Sequence, residues 1–223
     1  TQLEGFNADV SHELRTPLAT LVASNELALR HPGNFDMEEV LSSNLEELHR
    51  LAGIINDMLF LSKADRGATA RRSFVPSLAA VVERVAEYHE AALADADLRL
   101  KVSGDGTGHF DEPLLRRAVS NLIGNATQYA KPGTEVEVSI GVVSDTEVSL
   151  VVANQGETVS PEILGRIFDR FFRASASREH GQKNHGLGLA ITSAIARMHG
   201  GRTTAASVNG KTEIGLVLVK TVA

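Results

Sequence analysis

Cysteine is absent from the 223 residues, which excludes disulfides, thiolate metal sites and cysteine nucleophiles and fits a reducing compartment. No stretch approaches the eighteen or so unbroken apolar residues that a membrane span needs. Proline is scarce, at 6 residues, while 43% of the chain is hydrophobic, which argues against wholesale disorder. An excess of basic charge is also missing: the net charge is -6. Residues 1–66 hold 5 Lys/Arg against 11 Asp/Glu, and residues 67–223 hold 17 of each. The totals leave no net basic face, so a general nucleic-acid-binding role is disfavoured. The whole acidic excess sits in the first third, and the two parts therefore differ in character. The chain starts at Thr1 without Met or a signal-type apolar segment, and we read it as a piece of something longer.

What is present is periodicity. Leu3, Phe6, Val10, Leu14, Leu18, Leu21/Val22 and Leu29 recur at helical steps and predict one apolar stripe. His31-Pro32-Gly33-Asn34 breaks it. Val40/Leu41, Leu45, Leu48, Leu51/Ala52, Ile55 and Leu59 resume the same period to about Leu61. The short turn folds the two helices back antiparallel, and the hairpin is expected to pair with a second copy as a dimeric four-helix bundle. Gly67–Ser73 reads as a linker.

From Phe74 the pattern changes. A helix is predicted over Leu78–Ala96 and a short strand over Leu98–Ser103, followed by a turn from Gly104 to His109. Asp111-Glu112-Pro113 opens a helix running to about Ala130. Val136, Val138, Ile140 and Val142 alternate with polar residues, turn at Ser144-Asp145 and return through Val148, Leu150 and Val152, as a β-hairpin does. A basic, glycine-containing segment spans Asn154–Gly188, and a helix follows to Met198, closed by His199-Gly200-Gly201. Strands Arg202–Val208 and Glu213–Val219 flank the hairpin turn Asn209-Gly210. The expected fold class is thus α plus α+β: a helical hairpin followed by a sandwich of one mixed sheet with helices on one face.

Four stretches after the hairpin and one within it could carry chemistry. Ser11-His12-Glu13-Leu14-Arg15-Thr16-Pro17-Leu18 is the densest polar cluster of the first helix. His12 falls opposite the apolar stripe, with Arg15 and Thr16 on its face, and Pro17 removes a backbone donor and is expected to loosen the helix. Asn121 and Asn125, four apart, share a helix face off the apolar stripe and offer amide groups to a cation and phosphate. Asn154-Gln155-Gly156 ends a strand, which by itself is only a turn. Phe168, Phe171 and Phe172 cluster in a chain with 4% aromatics, inside a segment carrying Arg166, Arg170, Arg173, Arg178 and Lys183 against Asp169 and Glu179. Gly186-Leu187-Gly188-Leu189 lies where a helix begins, and glycines there let backbone N–H groups approach phosphate. Glu46 and His49 read as solvated helix surface, and His89, His109 and His199 have no ligand-spaced companions.

Taken together, these boxes resemble the sensor histidine kinases of two-component systems, whose phospho-acceptor box S-H-E-L-R-T-P-L is matched letter for letter. The resemblance runs through five boxes in family order over nearly the whole chain. It implies a dimerisation and phosphotransfer hairpin over 1–66, a linker over 67–73 and an ATP-binding domain of the GHKL (Bergerat) type over 74–223. It implies ATP and Mg²⁺ as cofactors, with His12 as phospho-acceptor, Glu13 as base and orienter, and Thr16 positioning water in a phosphatase step. Asn125 resembles the Mg²⁺ ligand, and Asn121, Tyr129, Lys131, Asn154, Gly156, Phe168, Arg173, Gly186, Leu187, Gly188 and Leu189 resemble nucleotide-site positions. The partners it implies are a second copy and a response-regulator receiver domain. The parent would be a bacterial inner-membrane protein whose cytoplasmic portion this is. Three positions depart from the pattern: Gln128 where a basic residue is common, Asn154 where Asp is usual, and Asn184 in place of the first Gly of the last box. They keep open a docking or phosphatase-only module that binds nucleotide without autophosphorylating. An ATPase of the gyrase and heat-shock-ninety group is the third reading, disfavoured by the phospho-acceptor box.

Overall fold

In the computed structural model, residues 2–31, 33, 35–173 and 185–220 are described, with side chains described from Leu14 onward. The chain divides into two compact units, Thr1–Phe60 and Leu61–Ala223.

Helix α1 (Gln2–Arg30) runs through Pro17 without interruption, and α2 (Met37–Asp65) follows across the predicted break. Asn44 Nδ2 donates to Asn25 Oδ1 at 3.1 Å, tying the two helices together. Each helix carries two apolar stripes rather than one. Pro17, Leu21 and Ala28 on α1, and Leu51, Ile54 and Leu61 on α2, are buried. Leu18, Val22 and Leu29, and Leu41, Leu45, Leu48, Ile55 and Leu59, are exposed. The single stripe expected for each helix is thereby corrected. A helix in a two-helix hairpin has one partner, so only one face is covered, while the sequence period counts both. Leu3, Phe6 and Val10 lie outside the described side chains.

In the second unit, sheet order is β2-β4-β5-β7-β6. Strand β2 (Arg99–Gly104) lies parallel to β4 (Glu135–Val142), and all other neighbours are antiparallel: β4 with β5 (Glu147–Gln155), β5 with β7 (Lys211–Val219), and β7 with β6 (Arg202–Val208). The β2–β4 crossover contains α4 (Glu112–Tyr129), as a parallel connection requires. The inward side chains Val136, Val138, Val148, Leu150, Val152, Leu216 and Leu218 are buried under α3 (Leu78–Asp95), α4 and α6 (Gly188–Met198). This is the mixed sheet with one covered face that the alternation predicted.

Local signals place the ends. Ser77 Oγ accepts from Ala80 N to cap α3, and Asp111 Oδ1 accepts from Leu114 N to cap α4, with Pro113 in the first turn. Asn209 and Gly210 both take positive φ, closing β6–β7 as the Asn-Gly pair predicted. Three elements were not anticipated. The predicted turn at Gly104–His109 contains the start of β3 (Gly108–Phe110), which pairs with β1 (Ser73–Val75), and α5 (Pro161–Leu164) interrupts the basic segment. Residues 70–72, inside the predicted linker, are hydrogen-bonded to the domain: Ala70 N to Met198 O, Arg71 N to Asp111 Oδ2, and Arg72 Nη1 to Val219 O.

Candidate nucleotide and phospho-acceptor sites

The second unit gathers residues from four distant stretches. On α4, the buried stripe is Leu115, Ala118, Val119, Leu122, Ile123 and Ala126. Asn121 and Asn125 stand off it, half-buried, on one face. Asn121 Nδ2 donates to Gly188 O at 3.0 Å, which holds α4 against the start of α6. That start has Leu187 as its flanking residue, and among the described residues no side chain caps the first N–H groups of α6. The helix begins at Gly188, where the basic segment was expected to give way to it; Asn184, Arg178, Glu179 and Lys183 lie outside the described residues. Leu187 is buried and Leu189 half-buried, anchoring the turn from both sides of Gly188.

The phenylalanine cluster meets the same turn. Phe171 N donates to Gly186 O at 3.0 Å. Gly186 has φ +69°, and a Cβ there would stand 2.8 Å from the Phe171 carbonyl carbon, so no other residue fits without displacement. Phe171 is itself at φ 58°, a costly conformation for an aromatic residue. Phe168, Phe171, Phe172 and Arg173 are all half-buried in a turn, not in a core helix. Arg166 sits 4.6 Å from the Phe172 ring centre and 3.4 Å from Asp169 Oδ2, while Arg170 pairs with Asp65 at 2.5 Å.

At the end of β5, Asn154 is only 6% exposed. Gly156 N donates to Gly210 O at 2.7 Å, and a Cβ on Gly156 would fall 2.4 Å from Tyr129 O. Lys131 N donates to Gln155 O, so the last turn of α4 is stitched to this strand end. Tyr129 and Lys131 side chains are exposed and Gln128 is half-buried. The sequence reading missed Thr212, which is buried directly across the ladder from Asn154 and shares a 2.9 Å hydrogen bond with Ser207 Oγ. Its signal was a hydroxyl at an inward position of a strand whose other inward residues are Ile214, Leu216 and Leu218. The arrangement offers an uncapped helix N-terminus and two half-buried amides for a polyphosphate, with a buried amide and hydroxyl at a strand end for the edge of a base.

On the hairpin, His12, Glu13 and Thr16 all lie on α1. The side chains of His12 and Glu13 are outside the described residues. Arg15 and Thr16 are exposed, and Thr16 O accepts from Thr20 Oγ1 at 3.1 Å. Elsewhere, Glu46 and His49 are exposed. His89 is half-buried with Nε2 2.8 Å from Ser120 Oγ, and burial pushes its ring below the ordinary value. His199 is fully buried and bonded through both ring nitrogens; burial pushes it down, while the Ile195 carbonyl pulls the other way. Among the described residues no group of three or more metal-ligating side chains occurs, and no helix is long and apolar enough to cross a membrane.

Residues 110–221 match the family described as histidine kinase-, DNA gyrase B- and HSP90-like ATPase, and residues 2–67 match the His Kinase A (phospho-acceptor) domain. Along the chain they define a class: a phospho-acceptor hairpin followed by an ATPase-type sandwich. The chain belongs to the sensor histidine kinases. Sensor histidine kinase CusS of Escherichia coli O157:H7 is 39% identical over 98% of this chain and 45% of its own length. Sensor protein CopS of Pseudomonas syringae pv. tomato is 40% identical over 82% of this chain and 37% of its own. The chain thus spans less than half the length of these curated relatives. In fold it is similar to histidine kinase AdeS of Acinetobacter baumannii, with TM-score 0.79 at 23% identity over 95% of this chain and 98% of that one. It is also similar to histidine kinase ThkA solved in complex with response regulator protein TrrA, with TM-score 0.72 at 19% identity over 98% of this chain and 62% of that one.

Proposed function

We propose that this chain phosphorylates His12 from ATP and passes the phosphoryl group to an aspartate of a response regulator. The observation that carries the reading is the Asn121–Gly188 hydrogen bond. It joins the paired-asparagine helix to an uncapped, glycine-flanked helix N-terminus, in a chain that also bears the complete phospho-acceptor box. Asn125 is the residue suited to hold Mg²⁺, an oxygen-seeking ion that neutralises phosphate charge when bound. The backbone around Gly186, Leu187, Gly188 and Leu189 receives the phosphates, with Asn121 and Arg173 beside them. Asn154, Gly156, Tyr129, Lys131 and Phe168 border the base and ribose.

One ring nitrogen of His12 attacks the γ-phosphorus in line, the bond to the bridging oxygen breaks and ADP leaves. Glu13 orients the ring and takes the proton from its other nitrogen. In the second step the P–N bond breaks as a carboxylate oxygen of the regulator attacks phosphorus, and the ring leaves as neutral imidazole by taking back a proton from Glu13. Thr16 orients water for the reverse, dephosphorylating activity. The working division is hairpin 1–66, linker 67–73 and ATP-binding domain 74–223. The exposed stripe Leu18, Val22, Leu41, Leu45, Leu48, Ile55 and Leu59 is covered by a second copy in a four-helix bundle. The parent is a membrane-anchored sensor and this is its cytoplasmic portion.

Incubation with γ-labelled ATP and Mg²⁺ tests the reading. An acid-labile, base-stable label on the protein, lost in His12→Gln, is the expected result. Nucleotide binding without label favours a docking or phosphatase-only module, and steady ADP release without labelled protein points to an ATPase.

A further inference from the structure

His199 was expected only to close α6. The structure gives it more to do. Asp111 N donates to His199 Nε2 at 3.0 Å, and a backbone N–H can only donate, so Nε2 carries the lone pair. Nδ1 must then carry the proton, which it gives to Ile195 O at 2.8 Å. The ring is thus a neutral connector, fully buried, between the last turn of α6 and the first turn of α4.

These two helices are the ones that bring Asn121, Asn125 and Gly188 together. They pack along buried apolar faces, Leu115, Ala118 and Leu122 on α4 and Ile191, Ala194 and Ile195 on α6, and two hydrogen bonds flank that packing: Asn121 Nδ2 to Gly188 O at the site end, and Asp111 N to His199 Nε2 at the far end. Asp111 and Asn121 are ten residues apart on α4, and Gly188 and His199 eleven apart around α6, spans of about 15 Å and about 16 Å at 1.5 Å per residue. Apolar packing is non-directional and tolerates small sliding and rocking of two antiparallel rods; a directional hydrogen bond on each side of it limits that movement. The far fastening is also where the chain arriving from α2 attaches. Asp111 uses Oδ1 for Leu114 N and Oδ2 for Arg71 N, and Ala70 N bonds Met198 O, next to His199.

We propose that His199 is a positioning residue for the nucleotide site, holding α4 and α6 in the relative placement that keeps Asn121 and Asn125 opposite the start of α6. It touches neither nucleotide nor metal and acts through those residues. The strap of residues 70–72 closes on the same joint, so the chain entering the domain is fastened to the helices that shape the site. The inference rests on the nucleotide reading above for its ligand, and on geometry alone for the joint.

The test uses the full chain, Mg²⁺ and a non-hydrolysable ATP analogue in calorimetric titration, with His199→Leu, His199→Gln and His89→Leu compared. His89 is the control, a partly buried histidine bonded to a side chain of α4 but not to α6. At a temperature where each is folded by circular dichroism, His199→Leu should weaken analogue binding on the order of tenfold. His199→Gln keeps an acceptor for Asp111 N and should recover most of that loss, while His89→Leu stays within about twofold. In nucleotide-free protein, amide exchange over 121–125 and 188–192 should quicken in His199→Leu and not in His89→Leu. A folded His199→Leu with unchanged affinity and exchange overturns the proposal, as does a Gln variant no better than Leu. If the unaltered chain binds no analogue, the nucleotide reading fails, and amide exchange alone decides the joint. Should the Leu variant not fold, the ring resonances of His199 in the unaltered chain settle it. They must shift on analogue addition, and immobile resonances sink the idea.

Discussion

Gly186 and Gly188 sit two positions apart, yet an added methyl group meets different things at each. At Gly186 the positive φ and the Phe171 backbone leave no room. At Gly188 a Cβ would be 3.5 Å from Asn121 Cγ, an ordinary contact, and the backbone is helical. Gly186→Ala is therefore expected to lower unfolding stability by about 1–3 kcal/mol, and Gly188→Ala to stay within about 0.5 kcal/mol of the unaltered chain. Urea unfolding of both variants checks this. If Gly188→Ala then binds an ATP analogue more weakly, the loss comes from the methyl group standing where phosphate approaches the backbone. Asn121 and Asn125 were legible in the sequence because a spacing of four on a helix is a local fact. Thr212 was not, since its importance comes from standing across the ladder from Asn154, which a strand read alone does not reveal.

The helices α4 and α6 behave as a unit, and their joint has a pH signature. Burial holds the His199 ring below 6.5, helped by the nearby Arg72 charge and opposed by the Ile195 carbonyl and Asp111. The unfolded chain takes up this proton near 6.5, whereas the folded one resists it. The group's stabilising effect is thus complete above that value and is lost as pH falls from 6.5 through the lower folded value. His89, also pushed down by burial, acts in the same direction. The unfolding free energy should accordingly fall between about pH 7 and about pH 5, and fall less in His199→Gln. An identical pH slope in the two proteins would remove the assignment to His199. Elements with several periods, such as α3, α4, β4–β5 and β6–β7, were readable in advance. Strands β1 and β3 and helix α5 were not, because three or four residues hold too little periodicity to register, and pairing partners 33 to 37 positions away define the strands.

For the molecule as a whole, the two stripes on each hairpin helix carry the main consequence. Leu45 and Leu48 are about half exposed, as are Leu18 and Val22, which leaves an apolar surface that a lone hairpin cannot cover. Leu45→Asp is expected to shift the chain from dimer to monomer in sedimentation equilibrium at micromolar concentration, with helical content retained. A monomeric unaltered chain would refute the bundle. The sequence showed apolar residues at helical spacing but could not apportion them between an internal seam and an external one. Period alone is blind to how many partners a helix has.

Covalent order alone dictated everything whose parts are chain neighbours. That includes the eight-residue acceptor box on one helix, the paired asparagines, the caps at Ser77 and Asp111, and the Asn209-Gly210 turn. Folding decided the rest: Asn121 against Gly188, Phe171 against Gly186, Gly156 against Tyr129, and Asp111 against His199. Those pairs are separated by 15 to 88 positions, and no local preference of either partner favours the meeting. Burying one face of the sheet under α3, α4 and α6 is what brings them together, because the helices must cover the apolar side of the sheet with their own apolar stripes.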